Sequence, residues 1–474
     1  MPFLSIIDQN GKILKEIFEL TLGTKPTNDL FLIHHHLSDY YYKKEDTEYG
    51  YDKSEILIEG WDSEVILTTF VQLFHTIFSN KNRVIRKFHK ILGGIIILDE
   101  IQTFPYKYWL LFKNTAEVMA QYFNTYFILT TATQPIIFDK SVELLPSKEK
   151  YFNSLNRTKL IFDIEKPKTI LDLANEVINE IKEKPTDLLI VLNTINSAVD
   201  LFNTIKEPLK NMCYEIHFLS SHIIPKERLI RIEKIKNSKN KKIVISTQLI
   251  EAGVDIDLNR AIRDFGPLDS INQVTGRVNR NMNSEMGEVK IVALKESESK
   301  TNIKRNYYYY NYIYDPILIE KTKDVIKNIS YKNIFENEFF DIINKYYENI
   351  PPFDDASKKL IEEIKNLDYD NISKFKLIEE KTFKVDIFVE VDDEAKEVWS
   401  EYCKIFDENN PIKRKEKFLQ IRSRFYNYVI SVSINNNKNL PPEFFGIRYI
   451  SKSQLNEYYD ADTGFGIKNE FNIW

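Results

Sequence analysis

Residues 95–102 read Ile-Ile-Ile-Leu-Asp-Glu-Ile-Gln, so four aliphatic residues end abruptly in two adjacent carboxylates. An aliphatic run of this kind is typical of a strand that is buried in a parallel sheet. Ligands of open α/β sheets bind beyond the carboxyl ends of the strands, so Asp99 and Glu100 are predicted to face a ligand. An Asp at this place can hold Mg through water, and a neighbouring Glu can polarise a water that attacks a γ-phosphate.

An isolated Asp-Glu pair is also compatible with a solvated turn after an ordinary strand, but related patterns follow downstream. Apolar residues that end in polar ones occur at 126–133, 188–194 and 241–248, and loops with Gly, Asp or Arg occur at 251–257 and 273–280. Each of these compositions is common by itself. Their conjunction in one order indicates a single site that is built from several strand ends.

The motifs in these segments resemble motifs II, III, V and VI of superfamily-two helicases. They are Asp-Glu-x-x at 99–102, Thr-Ala-Thr at 131–133, Ser-Thr-Gln followed by Gly-Val-Asp at 246–255, and Gln-x-x-Gly-Arg-x-x-Arg at 273–280. Finer features are similar to one branch, the CRISPR-associated helicase of type I systems. They are Ser-Ile-Ile-Asp-Gln-Asn at 5–10, His-His-His-Leu-Ser at 34–38, Trp-Asp at 61–62 before Thr-Thr-Phe-Val-Gln at 68–72, and Asp-Glu-Ile-Gln-Thr-Phe-Pro at 99–105. The resemblance covers about residues 1–295.

The resemblance implies an α/β fold with two RecA-like parallel-sheet lobes, of which the first is incomplete, and a C-terminal α+β accessory domain. The expected boundaries are 1–155, 156–298 and 299–474. Alternating apolar strands and amphipathic helices support this plan. The clearest predicted strands are 29–33, 65–68, 95–98, 126–130, 187–192, 214–219, 242–246 and 289–294, and the clearest predicted helices are 105–122, 169–183 and 196–208.

The same resemblance implies roles in ATP hydrolysis for residues of four motifs. Asp99 would bind Mg through water, and Arg277 and Arg280 would stabilise charge on the γ-phosphate as arginine fingers. The full expected catalytic set is Asp99, Glu100, Gln102, Gln273, Arg277 and Arg280, and the expected nucleotide-binding and coupling set is Thr131, Thr133, Gly253 and Asp255. The implied cofactors are ATP and Mg.

A path for single-stranded DNA across both lobes is also implied. Its phosphates would take backbone N–H and hydroxyl contacts that read no sequence, as a translocase requires. The expected contacts are Ser5, Thr68 and Thr69 in the first lobe and Asn193, Thr194, Ser220 and Thr247 in the second. Closure of the lobes on ATP and opening on release would move the strand.

One motif that the family requires does not occur in the sequence, because no Gly-x-x-x-x-Gly-Lys-Ser/Thr is present. Such a P-loop wraps the phosphates with backbone N–H groups and reaches the β and γ oxygens with its Lys. We therefore expect the chain to begin after the first strand, the P-loop and the first helix of lobe one. We also expect the family's HD nuclease domain to be missing, so a separate N-terminal half that carries both is an expected partner.

Composition is that of a globular protein with two or three domains. Of its 474 residues 43% are hydrophobic, and the net charge of −5 argues against a uniformly basic nucleic-acid coat but not against a local basic groove. The two cysteines cannot form a disulfide framework. Without a signal peptide or an apolar run of bilayer length, the chain is predicted to be cytoplasmic, with no membrane contact.

Residues after 300 differ from the preceding ones in composition and no longer alternate apolar strands with amphipathic helices. The tyrosines at 307–310 and 312 lie in a predicted helix and are interpreted as an aromatic core face, with a base-stacking surface as the alternative. The basic run at 413–417 is interpreted as a solvated helix face rather than a DNA tether.

Three hypotheses for function remain. The first is an ATP-dependent DNA helicase or translocase that unwinds target DNA in type I antiviral interference, acts with a CRISPR surveillance complex, and is inactive by itself. The second is a non-catalytic fragment that binds DNA or a partner, and the third is a generic superfamily-two helicase. Because phosphate affinity should fall severely without a P-loop, we expect the purified chain to hydrolyse no ATP in the presence of single-stranded DNA.

Overall fold

The computed structural model describes residues 4–35, 37–38, 41–44, 47–131, 137–138, 141–147, 150–151, 156–251, 253–282, 286–297, 307–327, 333–350, 355–377, 383–434 and 440–466. The chain divides into two units. Unit 1 comprises Met1–Val142, Pro351–Lys381 and Ser400–Arg424, and unit 2 comprises Glu143–Ile350, Thr382–Trp399 and Phe425–Trp474. The predicted domain boundaries stay predictions.

The described strands and helices alternate through most of the chain. The strands are β1 (Phe31–His34), β2 (Lys43–Lys44), β3 (Thr47–Glu48), β4 (Val65–Thr68), β5 (Ile95–Asp99), β6 (Tyr126–Thr130), β7 (Thr158–Lys168), β8 (Leu188–Val191), β9 (Glu215–Leu219), β10 (Lys242–Ser246), β11 (Arg260–Asp264), β12 (Gly287–Leu294), β13 (Asn333–Phe335), β14 (Phe383–Val389), β15 (Val429–Ile434), β16 (Glu443–Phe444), β17 (Ile447–Ile450), β18 (Tyr459–Asp460) and β19 (Gly464–Phe465). The helices are α1 (Leu4–Leu22), α2 (Tyr51–Glu59), α3 (Phe70–Ile77), α4 (Asn82–Ile85), α5 (Trp109–Phe123), α6 (Ile170–Glu183), α7 (Ile195–Lys210), α8 (Pro225–Asn237), α9 (Leu268–Thr275), α10 (Tyr310–Ile313), α11 (Pro316–Lys327), α12 (Glu336–Asn349), α13 (Asp355–Lys365), α14 (Tyr369–Ile372), α15 (Asp393–Ile405), α16 (Pro411–Tyr426) and α17 (Leu455–Tyr458).

Unit 1 contains two parallel strand pairs that share no strand among the described residues. β1 pairs with β4, and β5 pairs with β6. Leu98 of β5 is buried, but Ile95 and Ile97 on the opposite face of that strand are 68% and 61% exposed. Both faces of parallel sheets are normally covered, so this face of β5 is unusually open for its apolar composition.

The core of unit 1 is largely aromatic. Phe74 of α3 and Phe112 of α5 pack on Phe104, with ring centroids 4.5 and 5.7 Å from the Phe104 ring. Farther along the chain, Phe375 packs on Tyr108 at a centroid distance of 4.9 Å. These rings fix α3 and α5 behind the strands that carry the acidic pair.

A buried polar cluster lies at the end of β1. The Trp61 indole N–H donates a hydrogen bond to His34 Nδ1 at 2.8 Å. The Lys87 ammonium is 3.7 Å from the Glu59 carboxylate and 5.2 Å from the centroid of the Trp61 ring. Burial, with a smaller contribution from the positive charge of Lys87, lowers the pKa of His34 to about 4. His34 is therefore neutral in the folded protein at neutral pH.

Unit 2 is built on one seven-stranded sheet in the order β13-β7-β12-β11-β8-β10-β9. Every neighbouring pair is parallel except β13 and β7, which are antiparallel. The central strands β8 and β10 are buried along their whole length because apolar residues occupy both faces. Helices α6 and α7 pack on one another and contribute Val177 and Phe202 to the core.

Two smaller sheets complete the described part of unit 2. β14 lies between β15, to which it is antiparallel, and β17, to which it is parallel, and β16 is at the edge of this mixed sheet. β18 and β19 form a short antiparallel hairpin near the end of the described chain. Parallel sheets with a mixed C-terminal sheet confirm the predicted α/β class with an α+β region at its C-terminal end.

Most of the predicted elements occur close to their predicted bounds, and β4 and β10 match them. Three strands of the unit 2 sheet, β7, β11 and β13, are not among the strands predicted from the sequence. The tyrosine segment is helical only at Tyr310–Ile313, where Tyr310 is buried and stacks on Tyr308 at a centroid distance of 4.9 Å. Among the described helices, none has the length and apolar character that crossing a membrane would take.

Candidate functional site

The acidic pair lies at the carboxyl end of β5, as the sequence pattern predicts. Asp99 is the last residue of β5, and its Oδ1 accepts a hydrogen bond from the Thr130 hydroxyl of β6 at 2.7 Å. Glu100 follows with φ +57° and ψ +44°, a left-handed conformation that costs a non-glycine residue about 1 kcal/mol. Backbone strain of this kind clusters at functional sites, where the surrounding structure maintains it.

A chain of hydrogen bonds begins at Glu100. The Gln102 amide donates to the Glu100 carboxylate, and its oxygen accepts a hydrogen bond from the Thr131 hydroxyl at 2.6 Å. Gln102 is buried, so both ends of its amide are held in one orientation. The pairing of β5 with β6 thus brings together four of the predicted site residues, Asp99, Glu100, Gln102 and Thr131. The fifth in this region, Thr133, lies outside the described residues.

The predicted DNA contacts of unit 1 occupy the end of β4 and the start of α3. The Thr68 hydroxyl donates to the His34 carbonyl at 2.7 Å. Thr69 caps α3 by accepting a hydrogen bond from the Gln72 backbone N–H at 3.1 Å. Ser5 belongs to α1, and its side chain lies outside the described part of the structure. Contact of these three residues with DNA stays a prediction.

In unit 2 the predicted DNA contacts meet at one edge of the sheet. β8, β10 and β9 are consecutive parallel neighbours. Their carboxyl ends are followed by Asn193 and Thr194, by Thr247, and by Ser220. Sequence order alone separates these residues by up to 54 positions, from 193 to 247, so the sheet is what brings them together.

Two of these side chains point into the unit rather than towards solvent. The buried Asn193 amide donates to the Asp264 carboxylate at 2.6 Å and to the Phe265 carbonyl at 2.8 Å. The Ser220 hydroxyl, which is also fully buried, accepts a hydrogen bond from the His222 backbone N–H at 3.2 Å. As whole residues they are 1% and 0% exposed, so neither offers a group to a ligand in this conformation.

The other two predicted contacts have structural partners of their own. Thr194 caps α7 by accepting a hydrogen bond from the Ser197 backbone N–H at 3.2 Å. The Thr247 backbone N–H donates to the Leu219 carbonyl at 3.3 Å, and the residue is 6% exposed. Sequence reasoning overlooked Ser221, which is exposed at the same sheet edge.

The predicted arginine fingers lie beside the Gly-Val-Asp loop. Arg280 Nη1 is 3.0 Å from Asp255 Oδ1, and the Arg280 backbone N–H donates to Asp257 at 2.8 Å. Arg277 Nη2 donates to the Glu251 backbone carbonyl at 2.9 Å. The predicted residues of two motifs are therefore in direct contact within unit 2.

The remaining predicted residues of this region are Gly253 and Gln273. Gly253 has φ +73°, which favours glycine there, and Gln273 lies in α9, one turn before Arg277. A cavity of about 300 Å³ adjoins the loop. It is lined by Ile235, Lys236, Lys242, Asp255, Ile256, Asp257, Asn259, Asn279 and Asn281.

A buried polar network links these motifs, and sequence reasoning missed its centre, Arg263 at the end of β11. The Arg263 guanidinium donates to Asn193 Oδ1 at 2.7 Å and forms an ion pair with Glu251 at 2.9 Å. It also donates to the Ser270 hydroxyl at 2.8 Å and the Tyr314 hydroxyl at 2.5 Å. One side chain thus joins the ends of β8 and β10 to α9, the helix that precedes the arginine fingers.

The protonation of this network follows from its burial. Burial raises the pKa of Glu251 to about 7 and that of Asp264 to about 7, and Arg263 opposes both increases. Burial disfavours the charged form of Arg263, but Tyr314, Glu251 and Asp264 together raise its pKa above the ordinary value. A signal was present in the sequence, because an Arg-Asp pair follows two apolar residues and precedes Phe265. Charges in such a position indicate partners elsewhere in the chain.

Comparison with known proteins gives matches to CRISPR-associated nuclease/helicases. The family model described as "CRISPR-associated nuclease/helicase Cas3, C-terminal" matches residues 184–283. The chain is 27% identical to a CRISPR-associated nuclease/helicase Cas3 of Haloferax volcanii, across 59% of this chain and 40% of that protein. It is 25% identical to the protein of the same name from Methanothermobacter thermautotrophicus, across 59% of this chain and 34% of that protein. The chain thus covers less than half the length of these two relatives.

Solved structures extend the match to nearly the whole chain. The crystal structure of T. fusca Cas3 matches with a TM-score of 0.69 and 12% identity, across 98% of this chain and 64% of that one. The structure of T. fusca Cas3 with AMPPNP matches with a TM-score of 0.67 and the same identity and 63% coverage of that chain. A chain of a CRISPR RNA-guided surveillance complex, described as pre-nicking, matches with a TM-score of 0.53 and 12% identity, across 83% of this chain and 57% of that one. At these identities the structural matches establish the fold.

Proposed function

We propose that this chain, which belongs to the CRISPR-associated nuclease/helicase Cas3 family, is the helicase part of an ATP-dependent DNA translocase in type I CRISPR interference. The observation that carries the proposal is the hydrogen-bonded chain from Glu100 through Gln102 to Thr131 at the carboxyl end of β5. It joins the Glu100 carboxylate, which would act on the attacking water, to Thr131 after β6, which would respond to the bound nucleotide. A structure of T. fusca Cas3 contains AMPPNP, which supports ATP as the nucleotide of this chain.

The acidic residues would divide the work of hydrolysis between them. Asp99 and Thr130 offer hard oxygen atoms of the type that Mg prefers, so Asp99 fits a role as a metal ligand through water. When bound, Mg would neutralise the phosphate oxygens. Glu100 would orient the attacking water, and the amide of Gln102 would hold the Glu100 carboxylate in place. In this role the left-handed backbone of Glu100 serves to aim its side chain.

Arg277 and Arg280 would stabilise the charge that develops on the γ-phosphate. A planar guanidinium can bind two phosphate oxygens at once, which a lysine cannot. In unit 2 Arg280 is paired with Asp255, so the nucleotide would have to replace that carboxylate as its partner. Because the pair is partly exposed, the exchange would cost little, about 1 kcal/mol or less.

The strand ends of unit 2 would contact the phosphates of single-stranded DNA. The side chains of Asn193 and Ser220 are turned inwards and both residues are buried, so their backbone groups would reach a phosphate only after this edge opens locally. Thr194 and Thr247 lie at the same edge of the sheet. Contacts of this kind do not distinguish bases, which suits a protein that must pass over any sequence. The proposed partner that delivers the DNA is a CRISPR surveillance complex.

ATP turnover would require a P-loop, which does not occur in this sequence and would have to come from another polypeptide segment. The exposed Ile95 and Ile97 support this requirement, because an apolar face of a parallel strand is normally covered by further polypeptide. The same observation favours a second candidate function, in which the chain binds DNA or a partner and hydrolyses no ATP. The two candidates differ only in whether a P-loop segment restores turnover.

The experiment that tests the proposal measures phosphate release from Mg-ATP with single-stranded DNA present. We expect no measurable hydrolysis by the purified chain. We expect DNA-stimulated hydrolysis after addition of a polypeptide that supplies a strand, a Gly-x-x-x-x-Gly-Lys-Thr loop and a helix. Glu100→Gln should then reduce turnover about 100-fold or more, which is the usual contribution of a positioned catalytic base.

Glu117→Gln is the matched control, because Glu117 is exposed on α5 of the same unit. It should leave the restored turnover unchanged. Hydrolysis that Glu100→Gln does not affect would refute the assigned role. Robust hydrolysis by the chain alone, abolished by Glu100→Gln, would show that no P-loop segment is needed. Failure of every P-loop segment to restore turnover would favour the non-catalytic candidate.

A further inference from the structure

The hairpin of β18 and β19, residues 459–465, is here called the C-terminal hairpin. It lies against the loop that follows β9, residues 220–224, here called the β9 loop. Both belong to unit 2, although more than 230 residues of chain separate them, from 224 to 459. The proposed DNA contacts include Ser220 at the start of this loop.

Arg231 of α8 attaches the C-terminal hairpin to β9. Its guanidinium donates to the carbonyl oxygens of Ala461 at 2.6 Å and Asp462 at 2.5 Å. The same group donates to the Phe218 carbonyl at 2.9 Å, just before the β9 loop. Arg231 is buried and is also paired with Glu227 at 3.1 Å, so loss of these carbonyl partners would leave buried N–H donors without acceptors while the ion pair remains. The hairpin turn and the end of β9 are therefore held by one side chain.

The C-terminal hairpin also bonds directly to the backbone of the β9 loop. The Phe465 backbone N–H donates to the His222 carbonyl at 2.9 Å, and the Phe465 carbonyl lies 3.0 Å from His222 Nδ1. At the other end of the loop, the Ile224 backbone N–H donates to the Tyr459 hydroxyl at 3.1 Å. Backbone groups at two positions in the loop are therefore satisfied by the hairpin rather than by water.

Gly464 is the point of closest approach. It has φ +85°, and a Cβ at this position would lie 2.3 Å from the His222 carbonyl oxygen. Real Cβ atoms do not approach backbone so closely, so only glycine permits this contact without displacement of the hairpin or the loop. The fit therefore depends on the absence of a single methyl group.

The loop so held presents a polar residue at the sheet edge that carries the proposed DNA contacts. Ser220, Ile223 and Ile224 are buried, whereas Ser221 is exposed. The Leu219 carbonyl, immediately before the loop, accepts the hydrogen bond from the Thr247 backbone N–H. The position of Ser221 relative to Thr247 thus depends on what holds residues 220–224.

We propose that the C-terminal hairpin fixes the β9 loop in its DNA-contacting conformation, so that Ser221 is a DNA contact and Gly464 and Tyr459 are positioning residues. The inference rests on the proposed binding of single-stranded DNA by unit 2. A loop whose backbone is already ordered loses less conformational freedom when it binds, and affinity rises accordingly. The residues near the C-terminus would thus set the DNA affinity of a surface that the second lobe provides.

The test compares two glycine-to-alanine variants of the full chain. Gly464→Ala adds a methyl group against His222, whereas Gly446→Ala adds one at φ +81° where no atom lies within 4 Å. Both substitutions carry the penalty of a left-handed alanine, so only the contact with the β9 loop differs. The probe is a fluorescein-labelled oligo-dT of about 20 nucleotides, and its anisotropy gives the Kd.

We expect Gly464→Ala to raise the Kd about tenfold, equivalent to about 1.4 kcal/mol, and to accelerate amide hydrogen exchange in residues 219–226. Gly446→Ala should change neither quantity. Faster exchange in the loop without a change in Kd would overturn the inference, as would an equal rise in Kd for both variants. Failure of the unmodified chain to bind the oligonucleotide would instead refute the proposed function, and the exchange data would remain interpretable.

A milder variant covers the case in which Gly464→Ala does not fold. Tyr459→Phe keeps the ring but removes the hydroxyl that accepts the Ile224 N–H. We expect a two- to fivefold rise in Kd with faster exchange confined to the β9 loop. Ser221→Ala should raise the Kd without faster exchange, because Ser221 would contact DNA and does not hold the loop. A Kd unchanged in both variants would overturn the inference.

Discussion

Unit 1 and unit 2 both place polar side chains after parallel strands, but they differ in how those strands are enclosed. In unit 2 seven strands form one sheet, and the central strands β8 and β10 are buried along their whole length. In the described part of unit 1 the strands form separate pairs, and β5 exposes Ile95 and Ile97. Among the described residues, the inner strands of unit 2 are covered on both faces, whereas one face of β5 in unit 1 is open.

This difference in enclosure determines whether polar groups at the strand ends are buried in an internal network or lie beside an open face. In unit 2 the enclosed sheet edge supports a network around Arg263 whose members are satisfied by one another. In unit 1 the chain from Glu100 to Thr131 is also internally bonded, but it borders the open strand. Polar groups at strand ends therefore form a structural core in unit 2, whereas for those of unit 1 we propose a reactive role.

Arg263→Met should produce the largest effect, because it removes a fully buried cation from its polar partners Asn193, Glu251, Ser270 and Tyr314. Loss of one partner of a buried ion pair typically costs about 3–5 kcal/mol, since the remaining charge is left uncompensated. Arg280→Met is the matched control, because the Arg280 side chain is 43% exposed and its pairing should be worth less than about 1 kcal/mol. Urea-dependent hydrogen exchange of unit 2 peptides measures both. Equal losses would show that burial does not distinguish these two arginines.

Two isoleucine substitutions, one in β8 and one in β5, should show directly that burial of the strands differs between the two units. Ile190→Ala in β8 removes a fully buried side chain and should cost about 2–5 kcal/mol. Ile95→Ala in β5 removes one that is 68% exposed and should change stability by no more than about 0.5 kcal/mol. The readout is again hydrogen exchange, with peptides from each unit. A large loss for Ile95→Ala in the isolated chain would mean that the open face of β5 is covered after all.

Acid should weaken unit 1 by a smaller amount. His34 has a pKa of about 4 when folded, against 6.5 in the unfolded chain, so its stabilising effect is complete above pH 6.5 and is lost as the pH falls towards 4. At pH 5 the loss is about 2 kcal/mol. In unit 2 the raised pKa values of Glu251 and Asp264 act in the opposite direction, since stability falls as the pH rises from their ordinary values towards 7. Burial also lowers the pKa values of His217 and His222, which act in the same direction as His34, so the two effects in unit 2 oppose one another.

Hydrogen exchange of peptides from unit 1 between pH 5 and 7, corrected for the intrinsic exchange rate, measures this loss. His34→Asn should reduce the acid sensitivity of unit 1, and His75, whose pKa burial also lowers, should retain part of it. The substitution should leave peptides of unit 2 unchanged. A pH profile of unit 1 that His34→Asn does not alter would contradict the burial of His34 as the cause.

The strands that can be predicted from the sequence are those whose own residues form a recognisable strand pattern. β4 and β10 are short apolar runs bounded by polar residues, and a strand with this pattern is recognisable without knowledge of its neighbours. β11 contains Arg260, Arg263 and Asp264 and is nevertheless mostly buried. Its charges are tolerable only because Asn193, Glu251 and Tyr314 supply partners, and no local pattern reveals partners so distant in sequence.

The same limit applies to the candidate site. The residues of the Asp-Glu, Gly-Val-Asp and Gly-Arg motifs could be named from the sequence because residue type and order are sufficient to identify them. The orientation of Asn193 and Ser220 could not, because both types serve equally well as ligand contacts or as internal hydrogen-bonding groups. Burial decides between these uses, and burial depends on packing that only the folded chain defines.

The Arg263 network has a consequence for the synthesis of the chain. Its members occur in the order Asn193, Glu251, Arg263, Ser270 and Tyr314, so the guanidinium emerges from the ribosome well before its last hydrogen-bonding partner. Until Tyr314 is available, closing the sheet around Arg263 would enclose a positive charge with an incomplete set of acceptors. The nascent second unit should therefore remain unassembled through most of its translation and consolidate late, in a single step, rather than strand by strand.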